Sequence, residues 1–412
     1  MIQSSLGTIK NKITYAKAVY GKEEKRAVMK SLNNGWLASG PLVAEFERKV
    51  AAGFGKKYGV AVNSGSSANL LAIKALNLPK GGEVITPACT FATTVSEIIN
   101  NNLVPVFVDS VVGRYTINEE CINDAITNRT VAILIPQLIG GICDMKFIRK
   151  LARLYKLKVI DDSCDTLFPT LHGKSVASYA DVTTTSFYGS HIITACGMGG
   201  MIVTDSKEIR DRAICGRDWG RVGNDAEEFG KRFDFKIDNI PYDAKFLYSE
   251  FGYNLKMNES AAAFGLEQLK KLPKFLKTRK DNFARLNRIF GKHSKYFILP
   301  ELLEGADTNW LAYPLTLTPE APFKRYDFLK HLDSNGIQVR VLFSGNITRH
   351  PLYQNNTDMW RSVGALNHAD YIMANSFLIG CHHGMGKKET DYIAKVLNEF
   401  MSKEYKKSRL DA

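Results

Sequence analysis

No apolar run in the 412-residue chain is long enough to cross a bilayer; the best, Val131-Ala-Ile-Leu-Ile135, is five residues and ends at Pro136. The N-terminus is polar and has no signal-peptide hydrophobic stretch, so a cytoplasmic protein with no membrane association is expected. The seven cysteines are scattered, without a CxxC pair or metal-like spacing, which points to reduced thiols and no metal site. There are no internal repeats and no low-complexity linker. Lys and Arg exceed Asp and Glu enough to give a formal charge of +13. The excess is spread along the chain, however, and its one dense run, Lys403-Glu-Tyr-Lys-Lys-Ser-Arg409, reads as a solvated helix end. No nucleic-acid-binding motif accompanies it. A positive field also suits an anionic small substrate.

What is present is an ordinary soluble composition, 45% hydrophobic and 24% charged, with strands and helices in alternation. Helices are expected over 22–34 and 42–54. Strands are expected at Gly59–Val62, Glu83–Thr86, Val104–Val108, Val131–Ile135, Lys158–Asp161, Thr183–Phe187 and Gly200–Thr204. Short apolar strands separated by helices predict a mainly parallel α/β sheet. Pro273 is expected to end one helix near Leu272, with a basic helix starting near Lys277. A smaller α+β unit would follow, with strands at Trp310–Leu317 and Gln338–Phe343. The division is placed at 1–275 and 276–412.

Three local patterns bear on chemistry. Ser64-Gly-Ser-Ser67 lies between a strand and a helix, where main-chain amides and hydroxyls can cradle a phosphate, or where the chain simply turns. Ile160-Asp-Asp-Ser-Cys-Asp165 puts carboxylates at a strand end, able to face a protonated pyridine nitrogen or only solvent. Ser186 and His191 precede the glycine-rich turn Gly197–Gly200. His382 and His383 invite a metal reading, but adjacent histidines without a third ligand favour a structural or substrate-loop role.

Seven motifs in order resemble the sugar aminotransferase/dehydratase family of fold-type-I pyridoxal-phosphate (PLP) enzymes. They are Gly35-Trp-Leu-Ala-Ser-Gly-Pro41, Asn63 to Ser67, Thr86-Pro-Ala-Cys-Thr-Phe-Ala-Thr-Thr94 and Ile160 to Asp165. Ser186 to Gly200, Arg217-Asp-Trp-Gly-Arg221, and Gly252-Tyr-Asn-Leu-Lys256 with Glu267-Gln-Leu-Lys-Lys-Leu272 complete the set. The resemblance runs from about residue 15 to the end and implies an aspartate-aminotransferase-like fold. It assigns Gly65, Ser66 and Ser186 to the cofactor phosphate, Phe91 to stacking on the pyridine ring and Asp162 to the ring nitrogen. Asn254 would reach the cofactor of a partner subunit, in a homodimer with shared active sites.

Two departures from the aminotransferases coincide. His191 stands where the family has its Schiff-base lysine, and Asp165 stands where the aminotransferases carry His or Gln. Both occur in the family's nucleotide-sugar 3-dehydratases. The likeness extends to the loop Ser344-Gly-Asn-Ile-Thr-Arg-His-Pro-Leu-Tyr353, which implies substrate contacts for Asn346 and Arg349. Arg217 and Arg221 are further substrate candidates, as carboxylate or phosphate ligands, or else surface ion-pair members. One dehydratase branch holds an iron–sulfur cluster on cysteines just after the Arg-Asp-Trp-Gly-Arg motif. Here Val222 to Arg232 has no cysteine, so no cluster is expected.

The resemblance thus implies C3 dehydration of a nucleotide-linked 4-keto-6-deoxyhexose. Pyridoxamine phosphate (PMP) would serve as cofactor, L-glutamate as amino donor, and His191 and Asp165 as the proton-transfer residues. The alternatives are a nucleotide-sugar 4-aminotransferase, and a noncatalytic member serving as a heteromer partner.

Overall fold

The computed structural model describes residues 13–223 and 228–410. Its centre is an eight-stranded sheet in the order Tyr58–Val62, Gly200–Thr204, Val182–Ser186, Lys158–Asp162, Thr130–Pro136, Glu83–Pro87, Val104–Val108, Arg361–Ser362. Gly200–Thr204 runs antiparallel to both neighbours, and every other pairing is parallel. The apolar runs that marked these strands are nearly continuous because helices cover both faces. Two apolar clusters result, one around Ile85, Ile133 and Ile148, the other around Val60, Leu71 and Ile202.

Parallel strands deliver their carboxyl ends to one edge, the usual place for a ligand in an open α/β sheet. Asp162 and Ser186 close their strands at that edge, and the helix Gly65–Ala75 starts just past Val62. The antiparallel strand enters there as well: Gly200 sits in register between Val62 and Ser186. A Cβ at Gly200 would lie 2.2 Å from the Ser64 carbonyl oxygen, so a glycine lets this strand pass close to the helix-opening turn.

A second, four-stranded antiparallel sheet has the order Phe297–Ile298, Tyr313–Leu317, Ser376–Ile379, Val339–Val341. It packs with the helices Arg325–Ser334 and Lys387–Leu410 around Phe297, Phe328, Phe377 and Phe400. The Lys403–Arg409 run falls in the last turns of that final helix. The side chains beyond Glu404 lie outside the described residues, as does part of the cysteine-free stretch 222–232.

The expected break at Pro273 is corrected. One helix of 33 residues, Glu259–Gly291, runs straight through it. Its first half buries Ala262, Leu266, Leu272 and Phe275 in the core beneath the large sheet, and its second half buries Leu286 and Phe290 in the smaller core. Burial on both sides of the proline outweighs its local cost, about 3 kcal/mol in a helix interior. The division expected at 275/276 falls inside this helix. Pro273→Ala restores a main-chain donor toward the Leu269 carbonyl; it should raise the calorimetric melting temperature, whereas a lowered one would mean the ring's packing matters more than the missing bond.

Candidate active site

The carboxyl edge of the sheet opens into a cavity of about 370 Å³. Seven residues singled out from sequence line it: Gly65, Ser66, Phe91, Asp162, Asp165, Ser186 and His191. They come from five separate stretches of chain, and no lysine is among the lining residues.

One wall is the first turn of the helix Gly65–Ala75. Ser64 caps it by accepting from the Ser67 amide at 3.1 Å. The amides of a helix's first turn have no intrahelical carbonyl to bond, and the helix dipole favours an anion beside them. The Ser66 hydroxyl donates to Thr93 at 2.9 Å, and the Ser186 hydroxyl accepts from the Tyr188 amide at 3.3 Å. Gly65 is tightly enclosed: a Cβ there would meet Ser186 Cβ at 2.8 Å and Cys164 Sγ at 2.9 Å. The turn therefore fits a phosphate held by backbone and hydroxyl groups.

Opposite lies Asp162, buried at the end of its strand. Its Oδ2 accepts from Asn69 Nδ2 at 2.8 Å and Thr94 Oγ1 at 2.9 Å, and its Oδ1 accepts from the Cys164 amide at 3.2 Å. A carboxylate oriented in this way suits a protonated ring nitrogen. Phe91 stays 47% exposed on the cavity wall, edge-on to Phe343 at 5.6 Å between centroids, with an apolar ring available for stacking. The donor set thus fits a pyridoxal-type cofactor.

His191 sits in the turn after Ser186, its amide bonded to the Tyr188 carbonyl at 3.0 Å. Its Nδ1 lies 2.7 Å from the Cys164 carbonyl oxygen. A carbonyl only accepts, so Nδ1 carries the proton and Nε2 keeps its lone pair. Burial lowers the imidazole pKa to about 4; the Arg279 charge acts in the same direction, while the Cys164 carbonyl and Asp162 oppose it. Asp165 moves the other way. Burial, with the Asp162 charge behind it, lifts its carboxyl to about 7 against the Ile139 amide that donates to Oδ2 at 2.8 Å. A neutral base and an acid that is half protonated near neutrality share the cavity.

Four expected substrate residues lie outside this cavity's lining. Arg217 is buried in an ion network, donating to Asp218 at 2.8 Å, Glu47 at 3.1 Å and the Ala61 carbonyl at 3.0 Å. Arg221 packs over the rings of Trp219 and Phe246 and lines a different groove. Asn346 is buried, donating to Asp370 at 2.8 Å and accepting from the Thr348 hydroxyl at 2.7 Å. Arg349 grips the same Asp370 with two bonds. In each case a nearby acid or aromatic takes the side chain, a competition that no motif reveals. Asn254 is exposed outside the cavity, in a bridge with Asp218.

Sequence reasoning missed Tyr15, Asn69, Met198 and Phe343 in the lining. Asn69 left a signal, since it lies one helical turn after Gly65 and so on the same face. Tyr15 left none: it arrives on a segment that pairs Ile13 with Ile337. His382 and His383 serve packing and hydrogen bonding. His382 meets the Thr14 carbonyl at 3.1 Å, and His383 stacks on Phe275 at 3.9 Å between centroids.

This fold and cavity define a fold-type-I, PLP-dependent enzyme class. The chain belongs to the DegT/DnrJ/EryC1/StrS aminotransferase family, whose model matches residues 19–398. It is 37% identical to the lipopolysaccharide biosynthesis protein RfbH of Salmonella typhimurium, over 93% of this chain and 90% of that one. It is 35% identical to the dTDP-4-dehydro-2,6-dideoxy-D-glucose 3-dehydratase of Saccharopolyspora spinosa, over 94% and 86%. Among solved structures, the E. coli GDP-4-keto-6-deoxy-D-mannose 3-dehydratase with bound hydrated PLP superposes with a TM-score of 0.84. That pair is 29% identical, over 94% of this chain and all of the other. The same enzyme type has also been solved with PLP and glutamate trapped as a geminal diamine.

Gly65→Ala should leave the fold intact but weaken PLP binding at least about tenfold, about 1.4 kcal/mol, in titration of the apoprotein. Unchanged affinity would show that the close approach at Gly65 is not needed.

Proposed function

We propose that the chain is a PMP-dependent 3-dehydratase of nucleotide-linked 4-keto-6-deoxyhexoses. The observation that carries this is the cavity itself, where the helix-opening turn at Gly65, Asp162 and Phe91 surround the His191 imidazole and no lysine is among the lining residues. When bound, the cofactor would supply an electron sink. Gly65, Ser66 and Ser186 would hold its phosphate, Asp162 would face its ring nitrogen, and Phe91 would cover a ring face. His191 Nε2 is the proton acceptor, aimed by the Nδ1 bond to Cys164. Asp165 delivers a proton to the departing C3 hydroxyl, which leaves as water. In sum, the sugar loses its C3 oxygen while glutamate becomes 2-oxoglutarate and ammonia. The dehydratase relatives support the reaction, and the likeness to RfbH supports a place in surface-polysaccharide synthesis.

We further infer a homodimer with shared sites. Phe251 is 99% exposed, Phe229 75% and Ile240 62%, and Asn254 follows closely after Phe251 in sequence. An exposed apolar stretch of this kind suits burial against a second copy, which would bring Asn254 to the partner's cofactor phosphate.

Product mass spectrometry tests the reading. Purified protein with PLP and glutamate is offered CDP-, GDP- and dTDP-4-keto-6-deoxyhexoses. A sugar lacking one oxygen is expected; an amine retained on the sugar would favour the 4-aminotransferase instead. His191→Lys should lose dehydration and gain aminotransfer, and His191→Asn should keep cofactor but lose turnover. Undiminished dehydration in either variant would overturn the role given to His191.

The pH profile follows from the two shifts. His191 works unprotonated, so activity is lost as pH falls through about 4. Asp165 works protonated, so activity declines as pH rises through about 7. A bell centred on the acid side of neutrality is expected for kcat/KM, with the alkaline limb abolished in Asp165→Asn.

A further inference from the structure

Arg279 lies in the second half of the long helix and is only 1% exposed. Its Nη1 donates to the carbonyl oxygens of Trp310 at 3.0 Å and Leu311 at 3.1 Å. Its Nη2 donates to the carbonyl of His191 at 3.3 Å, and its Nε to His383 Nδ1 at 3.2 Å. Buried arginines are ordinarily matched by a carboxylate. Here, among the described residues, none forms an ion pair with it; three main-chain carbonyls and an imidazole take its donors instead. Tyr15 and Cys381, both normally neutral, are the titratable groups whose charge would act on it.

The consequence falls on His191. Around that imidazole stand the Cys164 carbonyl at Nδ1, the Tyr188 ring edge-on at 6.0 Å, the Asp162 carboxylate and the Arg279 guanidinium. Asp162 would draw a proton onto the ring, but its oxygens are already committed to Asn69, Thr94 and the Cys164 amide. Arg279 is the one cation in this set, and it is bonded to the histidine's own carbonyl. It therefore couples two requirements, where His191 sits and whether the ring carries charge.

We propose that Arg279 is the positioning residue for His191: it anchors the histidine main chain to the long helix and, with no carboxylate among the described residues in an ion pair with it, adds its positive charge to the burial that already disfavours a proton on the imidazole. This deepens the dehydratase reading by naming what holds the proposed base in its working state. It also explains why an expensive buried charge is retained in a helix that could bury a methionine or leucine there.

The test is a histidine-selective NMR titration of the cofactor-loaded protein in the absence of sugar. The His191 signal is identified by its loss in His191→Asn. In the parent protein it should remain that of a neutral ring well below the ordinary value of 6.5. In Arg279→Met its midpoint should rise by about one pH unit. In Arg279→Lys, which keeps the charge with fewer donors, it should stay near the parent's value. A parent midpoint near 6.5, or identical midpoints in parent and Arg279→Met, would overturn the proposal. Should Arg279→Met fail to fold, a raised midpoint in Arg279→Lys would overturn it equally. Because no sugar is present, failure to turn over any nucleotide sugar would count against the dehydratase reading alone.

Discussion

The bond from His191 Nδ1 to the Cys164 carbonyl organises the chemistry of this cavity. An imidazole has two nitrogens and one mobile proton. Committing that proton to a main-chain oxygen decides which nitrogen is left as a base and in which direction its lone pair points. The acceptor is itself fixed, because Cys164 follows Asp162 by two residues and its amide bonds back to the Asp162 side chain. The strand end that carries Asp162 thus also holds the His191 imidazole. A shift in this short stretch would disturb both at once.

That strand end carries three carboxyl groups within six residues, and their surroundings separate them. Asp161 is fully buried, where burial lifts its pKa to about 6 while Gln137 and Ser163 bond to it. Asp162 accepts from three donors, Asn69, Thr94 and the Cys164 amide. Asp165 has one amide and its neighbour's negative charge, so it retains its proton longest. Burial is the main cause of both upward shifts, and the hydrogen bonds to each carboxyl oppose it.

Much of this was legible before any coordinates. Short strand-like runs located all seven expected strands of the large sheet, and the residues singled out by motif order, Gly65, Ser66, Phe91, Asp162, Asp165, Ser186 and His191, line one cavity. What escaped was long-range. Arg361–Ser362 adds a strand beside Val104–Val108 on too few residues to show a period. Arg217 and Arg349 looked available for substrate because their partners, Glu47 and Asp370, are distant in sequence or unmarked by any motif. Pro273 looked like a terminus because local rules cannot weigh burial on either side of it. Arg279 resembles every other basic residue on that helix until its depth is known.

The two cores are stitched across each other. Ile13, near the start of the chain, pairs with Ile337 and is buried in the smaller core. Arg361–Ser362, from the later part, completes an edge of the larger sheet. On a ribosome, the early segment must wait for residues made hundreds of positions later, and the large sheet keeps a bare edge in the meantime. Synthesis order and folding order are therefore decoupled in this protein. The large sheet's edge beside Val104–Val108 is thus completed only when almost all of the chain has emerged, a consequence of topology rather than of stability.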